Sequence, residues 1–269
     1  MIAVVDYQKG NLLSVQRGLA AVSGRAFITS DPAEIAAADA IVLPGVGAFA
    51  DAAATMRELG QMDVIRERVL AGVPFLGICL GMHLMFEQGV EGSPAERAAL
   101  AAAAGYAQGL GLIPGLVAAL PREDALGRSY KIPHVGWNEV SFAAMPAAAP
   151  ATCCQITPPF VNNSLHATNL AANEQQPTPS ARSSAVSSTT APAKSALFDG
   201  ISEGEYFYFT HSYVSPDSAA TIATTTHSIT FPCAVQLGQC AFGVQFHPEK
   251  SSDAGLALLR NFVTIAQEA

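Results

Sequence analysis

The strongest chemical signal in the sequence is a cysteine between two glycines. An apolar run at 74–78 leads into Gly77-Ile78-Cys79-Leu80-Gly81 and then into a helical pattern. Glycines on both sides of a nucleophile permit a sharp strand-to-helix turn that exposes the central side chain. A helix N-terminus favours the thiolate, and the backbone N–H of Leu80 is suitably placed for an oxyanion. The spacing favours a nucleophilic Cys79; a buried cysteine between packing glycines is the alternative.

His247 is the candidate base for this thiol. It has a carboxylate two positions later, in the string Phe246-His247-Pro248-Glu249. Residues i and i+2 of an extended chain lie on the same face, and a proline favours extension of the residue before it. We therefore expect Glu249 to orient the imidazole while the other ring nitrogen faces Cys79. A turn histidine that follows a strand is the alternative interpretation.

A turn that contains two glycines supplies further backbone donors. Pro44-Gly45-Val46-Gly47 follows a predicted strand but lacks the lysine of a phosphate-binding loop. The amides of Val46 and Gly47 are candidates for the second half of an oxyanion hole, with that of Leu80 as the first. Zinc-finger spacing and H-E-x-x-H are both absent from the sequence, so neither a metal site nor a cofactor is predicted.

The elements around these motifs predict an α/β fold. The first third alternates short apolar strands with helices, which indicates an open, mostly parallel sheet with helices on both faces. The second half indicates strands joined by turns, an antiparallel portion, and a closing helix. The predicted strands are 2–7, 26–29, 40–43, 74–78, 112–120, 135–142, 206–213, 221–227 and 241–246. The predicted helices are 11–22, one that opens at 31–32, 50–59, 62–70 and 253–266.

Composition limits the protein class. The 269 residues are 50% apolar and 13% charged with a net charge of -8, which argues against binding to nucleic acid or an anionic membrane. Five cysteines without C-x-x-C spacing, and a start without a basic leader, favour the cytoplasm. We expect a single domain over 1–269 with two insertions. One is a flexible, low-complexity stretch at about 143–196, and the other is a short Ala-rich stretch at about 93–105.

The two catalytic strings together resemble the class I (triad-type) glutamine amidotransferases. Three further strings are similar to the glutaminase subunits of imidazole glycerol phosphate synthases. They are Pro44–Phe49 (PGVGAF), Pro133–Asn138 (PHVGWN) and Tyr208–Tyr213 (YFTHSY). The resemblance covers about 1–142 and 196–269 in order, and it implies the open-sheet fold of that family.

The resemblance also implies a reaction. Cys79 attacks the side-chain amide of L-glutamine, His247 oriented by Glu249 moves protons, and ammonia and glutamate leave through a thioester. Ammonia then passes to a cyclase partner, in a heterodimer that makes imidazole glycerol phosphate and AICAR for histidine biosynthesis. Candidates for the partner-facing side are Pro133, His134, Trp137, Asn138 and Lys250. Ordinary core packing of Trp137 is the alternative for that string.

Substrate contacts are implied at Thr210, His211, Ser212 and position 83. The family motif usually continues Gly-Met-Gln, whereas this chain has Gly81-Met82-His83. A histidine can donate or accept one hydrogen bond there, so we expect glutamine to bind with a raised KM. The alternative functions are a stand-alone triad glutaminase or γ-glutamyl hydrolase, and a regulatory subunit weakened by this change.

Overall fold

A computed structural model describes residues 1–92, 105–143 and 194–269. The two predicted insertions fall almost entirely outside these ranges, so their character and the single-domain division stay predictions. The helices in the described ranges are α1 (Leu12–Ala21), α2 (Pro32–Ala37), α3 (Phe49–Glu58), α4 (Gln61–Leu70), α5 (Leu80–Leu84) and α6 (Ser252–Glu268). Two single 3-10 turns lie at Ala196–Phe198 and Pro248–Lys250.

The strands form one large and one small sheet within the described residues. They are β1 (Ile2–Val5), β2 (Ala26–Thr29), β3 (Ala40–Gly45), β4 (Phe75–Cys79), β5 (Phe86–Gly89), β6 (Ala107–Gln108), β7 (Ile113–Ala119), β8 (His134–Phe142), β9 (Glu205–His211), β10 (Tyr213–Val214), β11 (Thr221–Thr226), β12 (Thr230–Leu237) and β13 (Ala241–Val244). The large sheet has the order β2-β1-β3-β4-β13-β12-β11-β8-β9, and the small one has the order β10-β7-β5-β6.

The large sheet changes direction at β13. From β2 to β13 neighbouring strands are parallel, and from β13 to β9 they are antiparallel. The α/β class with both kinds of pairing is confirmed, although the antiparallel portion is as extensive as the parallel one. Because β3, β4 and β13 are parallel neighbours, their carboxyl ends meet at one edge, where ligand sites of such sheets occur.

Side chains of the parallel strands point alternately into two apolar layers, one on each face of the sheet. Val4, Val42 and Ile78 pack on one face with α1 and α6. Val5 and Leu43 pack on the other face with α2, α3 and α4. Burial on both faces explains why these strands are continuous apolar runs in the sequence. The packed sheet therefore holds its carboxyl edge in a fixed geometry.

Several predicted boundaries needed correction. The strand β12 was not predicted; it contains Pro232, which is unusual inside a sheet because proline has no N–H for the ladder. Asn11 precedes α1 as expected, but its side chain makes no capping hydrogen bond, whereas Asp31 accepts one from the Ala33 N–H at the start of α2. A helix with the length and hydropathy needed to cross a membrane does not occur in the described ranges.

Candidate active site

Cys79 lies on a strained turn between β4 and α5. Its backbone has φ 54° and ψ -106°, a region that non-glycine residues rarely adopt. The turn needs glycine on both sides: a Cβ on Gly81 would lie 1.8 Å from the Leu43 carbonyl oxygen, and one on Gly77 would lie 2.6 Å from the Gly81 carbonyl carbon. The expected sharp elbow is present, and it places the sulfur at the carboxyl edge of the sheet.

His247 reaches the same edge from the neighbouring strand. It follows β13, which pairs with β4 in register from Ala241 opposite Phe75 to Val244 opposite Ile78. Its Nδ1 lies 2.9 Å from Glu249 Oε1, so the predicted contact two residues along the chain is present. The backbone is fixed by the His247 N–H, which donates to the Tyr208 carbonyl at 2.9 Å, and by Ser251 Oγ, which donates to the His247 carbonyl at 2.7 Å.

The electrostatics of His247 fit a charged imidazole paired with a thiol. Its side chain is 4% exposed and that of Glu249 is 1% exposed. Burial alone would lower the pKa of His247, but the neighbouring Cys79 sulfur and Glu249 carboxylate outweigh burial and raise it to about 9. The other ring nitrogen, Nε2, is buried and has no hydrogen-bond partner among the described residues. A charged imidazole carries protons on both nitrogens, one for the carboxylate and one for the sulfur side. Cys79, His247 and Glu249 therefore form one interacting group.

Two further groups contact the sulfur. Cys79 Sγ lies 3.9 Å from the carbonyl oxygen of Thr210, in β9. The side-chain amide of Gln245 donates to the same sulfur at 3.7 Å. Gln245 is fully buried and lies two residues before His247, so the segment that carries the base also carries a donor for the nucleophile.

A cavity of about 360 Å³ opens above the sulfur. It is lined by Val46, Gly47, Ala48, Cys79, Leu80, His83, Glu91, Pro133, Thr210, His211, Ser212 and Tyr213. Burial raises the pKa of the Glu91 carboxyl to about 7, although a hydrogen bond from the Phe49 N–H acts to lower it. A larger cavity of about 620 Å³ lies at the opposite end of the strands, beside Ile2 and Pro74, far from this chemistry. The smaller cavity is the one with a nucleophile.

The predicted oxyanion donors border this cavity. Leu80 begins α5 directly after Cys79, so its N–H is one of those at the start of a helix that lack a partner within it. Val46 and Gly47 also line the cavity, and Gly47 adopts φ 104°, which favours glycine. Burial and the charge of Cys79 raise the pKa of the nearby Tyr7 phenol. The Val46 N–H has the opposite effect and lowers that pKa. An oxyanion hole built from these amides stays a prediction.

The four predicted substrate residues all line the cavity but differ in what remains free. His211 uses both ring nitrogens: Nδ1 contacts the Tyr213 carbonyl at 2.9 Å and Nε2 contacts His134 Nδ1 at 3.0 Å. His83 is 2% exposed, and its Nε2 lies 2.6 Å from Gln245 Oε1. The Thr210 carbonyl faces the sulfur. Contacts of these residues with glutamine remain predictions.

The predicted partner-facing residues divide into two groups. Trp137 is 50% exposed, which does not support the interpretation as a core residue, and Pro133 and Lys250 are also exposed. His134 is 3% exposed and stacks on His227 and Phe209, so its side chain does not belong to the surface. Asn138 is half-buried because its amide bonds Thr225 Oγ1 and the Thr226 carbonyl, at 2.9 and 2.7 Å.

Gln245 and Glu91 were missed at the sequence level. The signal for Gln245 was present: it stands two positions before His247, and residues two apart in an extended segment share a face. Glu91 lies two residues after the end of β5, and no sequence pattern linked it to Cys79. In the ranges that the structure describes, no group of three His, Cys, Asp or Glu side chains is arranged to hold a metal ion.

Comparisons with known proteins agree with this geometry. The sequence profile of the family described as "Glutamine amidotransferase class-I" matches residues 4–266. The chain is 37% identical over 270 residues to "Imidazole glycerol phosphate synthase subunit HisH" of Moorella thermoacetica, with 100% of this chain and 96% of that protein covered. It is 36% identical over 273 residues to the protein of the same name from Rhodopirellula baltica, with 100% and 99% covered.

Solved structures support the fold. A structure titled "Crystal structure of glutamine amidotransferase" superimposes with a TM-score of 0.58 at 16% identity, covering 99% of this chain and 100% of that one. "Structure of PurLQS from Thermotoga maritima" gives a TM-score of 0.54 at 13% identity, covering 98% and 97%.

Proposed function

The chain belongs to the class-I glutamine amidotransferase family, and we propose that it is the glutaminase subunit of an imidazole glycerol phosphate synthase, active in histidine biosynthesis. It hydrolyses L-glutamine to glutamate and ammonia for use by a cyclase subunit. The observation that carries the proposal is the convergence of Cys79 and the His247–Glu249 pair at the ends of adjacent parallel strands.

The reaction depends on the ion pair of the Cys79 thiolate and the protonated His247 imidazole. The Cys79 thiolate attacks the amide carbon of the glutamine side chain, and the Leu80 and Gly47 amides stabilise the oxyanion. His247, protonated at neutral pH, gives a proton to the nitrogen as the C–N bond breaks and ammonia leaves. The now neutral imidazole takes a proton from water, whose oxygen attacks the thioester. The C–S bond then breaks, the thiolate re-forms, and glutamate leaves after its new carboxyl group releases its proton to solvent. Glu249 keeps the imidazole oriented throughout.

The cavity wall offers a counter-charge for the substrate. Glu91 lines the cavity, and burial holds its pKa at about 7. An α-ammonium group beside this carboxyl favours its ionised form, and the ion pair that results compensates for its burial. We therefore assign the α-amino group of glutamine to Glu91. Thr210 and Ser212 also line the cavity, and we assign the α-carboxylate of glutamine to them.

The partner surface is the exposed face of the β8–β9 pair. In this register Val135 lies opposite Thr210 and Trp137 opposite Tyr208, and directly opposed residues share a face. Lys250 Nζ lies 5.9 Å above the Tyr208 ring, and Trp137 meets the same ring at 6.1 Å between centroids. Exposed aromatic residues of this kind are enriched at protein interfaces. Because Thr210 also lines the cavity, we propose that a cyclase of (β/α)8 form docks here, beside the site that releases ammonia.

We also propose that the protein works in the cytoplasm. Within the described residues, Cys79 and Cys233 are thiols that form no disulfide bond. A catalytic thiolate requires a reducing compartment, because oxidation of its sulfur would abolish nucleophilic attack.

A reconstituted assay with the cyclase and its nucleotide substrate tests the proposal. Glutamine and ammonium are compared as nitrogen donors for the native chain, Cys79→Ala and the matched control Cys233→Ala. We expect Cys79→Ala to abolish glutamine-dependent synthesis and to leave ammonium-dependent synthesis intact, whereas the control retains both. Trp137→Ala should weaken association with the cyclase and leave basal hydrolysis unchanged.

Two results would contradict the proposal. Full glutamine hydrolysis that does not respond to the cyclase would indicate a stand-alone glutaminase. Cyclase binding without any glutamine hydrolysis would indicate a regulatory subunit.

A further inference from the structure

Three buried side chains form a chain of contacts that ends on the sulfur. His83 Nε2 lies 2.6 Å from Gln245 Oε1, and Gln245 Nε2 lies 3.7 Å from Cys79 Sγ. The exposed fractions are 2% for His83, 0% for Gln245 and 6% for Cys79. We call His83, Gln245 and Cys79 the sulfur relay. Because α5 carries His83 and the segment after β13 carries Gln245, the relay joins the two elements that meet at the elbow.

The chemistry of the amide fixes the direction of the relay. An amide oxygen only accepts, so His83 must donate through an Nε2–H to Gln245 Oε1. With its oxygen held, Gln245 turns its NH2 group toward the sulfur. If the amide were flipped, its oxygen would face the sulfur and repel a thiolate. The donor at position 83 therefore selects the orientation that favours negative charge on Cys79.

We infer that His83 is a positioning residue that acts through Gln245 on the Cys79 thiolate, an inference that rests on the proposed function. A hydrogen bond to an ionised acceptor is about twice as strong as one between neutral groups, so the Gln245 NH2 stabilises the thiolate more than the thiol. His83 adds no charge, since it needs only one N–H. Its effect on turnover is indirect and passes through the orientation of one amide.

Burial is consistent with an uncharged His83. Burial lowers the pKa of His83 to about 4, although the bond to Gln245 acts in the opposite direction. The other titratable groups that interact with these residues are His247 and Tyr7 at the sulfur, and His211 at His83. None of them replaces the donor to Gln245 Oε1 among the hydrogen bonds of the described residues.

Alkylation of Cys79 by iodoacetamide as a function of pH tests this inference. The full chain is used, and the Cys79 peptide is quantified by mass spectrometry so that the other cysteines do not interfere. We expect the pH midpoint of alkylation to rise by about one unit in His83→Phe and in Gln245→Met, with no further rise in the double variant. His83→Gln restores an N–H donor and should return the midpoint toward the native value.

Matched controls separate the relay from general damage. His227→Phe removes a histidine outside the relay, and Gln61→Met removes a buried glutamine whose amide donates to the Asp6 and Ser30 carbonyls. Neither should move the midpoint. Steady-state kinetics add a second readout: the relay predicts a lower kcat in His83→Phe with KM within about twofold, whereas direct substrate contact predicts a raised KM.

The two proposals can fail separately. An unchanged midpoint in His83→Phe and Gln245→Met, or equal additive shifts in the double variant, would overturn the relay even if glutaminase activity is present. If the native protein hydrolyses no glutamine, the proposed function fails, but the alkylation series still decides whether His83 acts on the sulfur. If His83→Phe does not fold, Gln245→Met and His83→Gln carry the test.

Discussion

The pKa of His247 and the pKa values of two members of a separate cluster of three histidines are shifted in opposite directions. The cluster, which we call the imidazole cluster, consists of His134, His211 and His227. The pKa of His247 is raised to about 9, whereas burial lowers the pKa of His211 to about 3 and that of His134 to about 4. Burial acts in the same direction at all three sites. The difference therefore comes from their partners.

The hydrogen bonds between His211, His134 and the Tyr213 carbonyl are satisfied when both rings are neutral. The Tyr213 carbonyl can only accept, so His211 Nδ1 carries the proton and His211 Nε2 accepts from His134 Nδ1. His227 stacks on His134 at 4.2 Å between centroids and donates to the Lys131 carbonyl at 3.0 Å. A proton added to His211 Nε2 would face the N–H of His134 Nδ1, which is already a donor. At His247, by contrast, the Glu249 carboxylate and the Cys79 sulfur both stabilise the protonated imidazole.

The largest expected effect comes from removing the carboxylate that distinguishes His247. Glu249→Gln keeps the shape but not the charge, so burial should lower the pKa of His247 and the imidazole should resemble those of the cluster. We expect kcat for glutamine to fall by about 10³-fold or more, with KM nearly unchanged. Steady-state assays with Glu67→Gln as a control, an exposed carboxylate on α4, measure this. A loss below tenfold would show that the Cys79 sulfur alone keeps His247 charged against the effect of burial.

The next effect concerns the stability of the imidazole cluster. His211→Phe leaves His134 Nδ1 and the Tyr213 carbonyl without partners in a buried place, which costs about 2–4 kcal/mol in the free energy of unfolding. His211→Gln keeps one donor and one acceptor and should cost less. Urea unfolding at pH 7 compares the two variants. Equal losses in both would mean that ring packing, not hydrogen bonding, holds the cluster.

The imidazole cluster and His247 should also make the free energy of unfolding change with pH in opposite directions. His134 and His211, and also His83, bind protons more readily in the unfolded chain, so the free energy of unfolding falls as pH drops from about 6.5 toward 4, by several kcal/mol in total. His247 binds its proton more readily folded, so its contribution is full below about 6.5 and is lost as pH rises through about 9. Urea unfolding from pH 4 to 9 should show a maximum between these slopes. Glu249→Gln should flatten the alkaline side only, and an unchanged alkaline slope would contradict this origin.

Local patterns predicted the contact between His247 and Glu249 and the sharp turn at Cys79, because both features depend on residues close together in the sequence. The contact between His247 and Glu249 depends on two positions in an extended segment, and the glycines around Cys79 report a backbone conformation that few residues adopt. The imidazole cluster was not predicted, because His134 and His211 are 77 residues apart and meet only through the register of β8 and β9. That register placed His134 inside, against the expectation that it faces a partner.

Pairing between distant strands also limited the fold prediction. The strands β1 to β4 followed from continuous apolar runs, and the predicted ends of α1, α3 and α4 lie within one residue of those observed. The strand β13 was expected in the antiparallel portion but pairs parallel with β4. The strand β12 was missed because Pro232 interrupts its apolar pattern. Only its pairing with β11 and β13 identifies the segment as a strand. Position 83 shows the same limit at the site: the sequence marked it as unusual, and the contact with Gln245 across 162 residues came only from the structure.

The smallest expected effect is at the outer ring of the imidazole cluster. His227→Phe keeps the stacked ring over His134 but removes the bond to the Lys131 carbonyl, which is worth about 1 kcal/mol or less at a half-buried site. The charge of His227 also lowers the pKa of His134, so its removal should make the cluster less sensitive to acid. Urea unfolding at pH 7 and pH 5 should therefore show a small cost at pH 7 that shrinks or reverses at pH 5. An equal cost at both values would mean that His227 contributes packing and one hydrogen bond, and that repulsion between imidazoles plays no part in the contrast with His247.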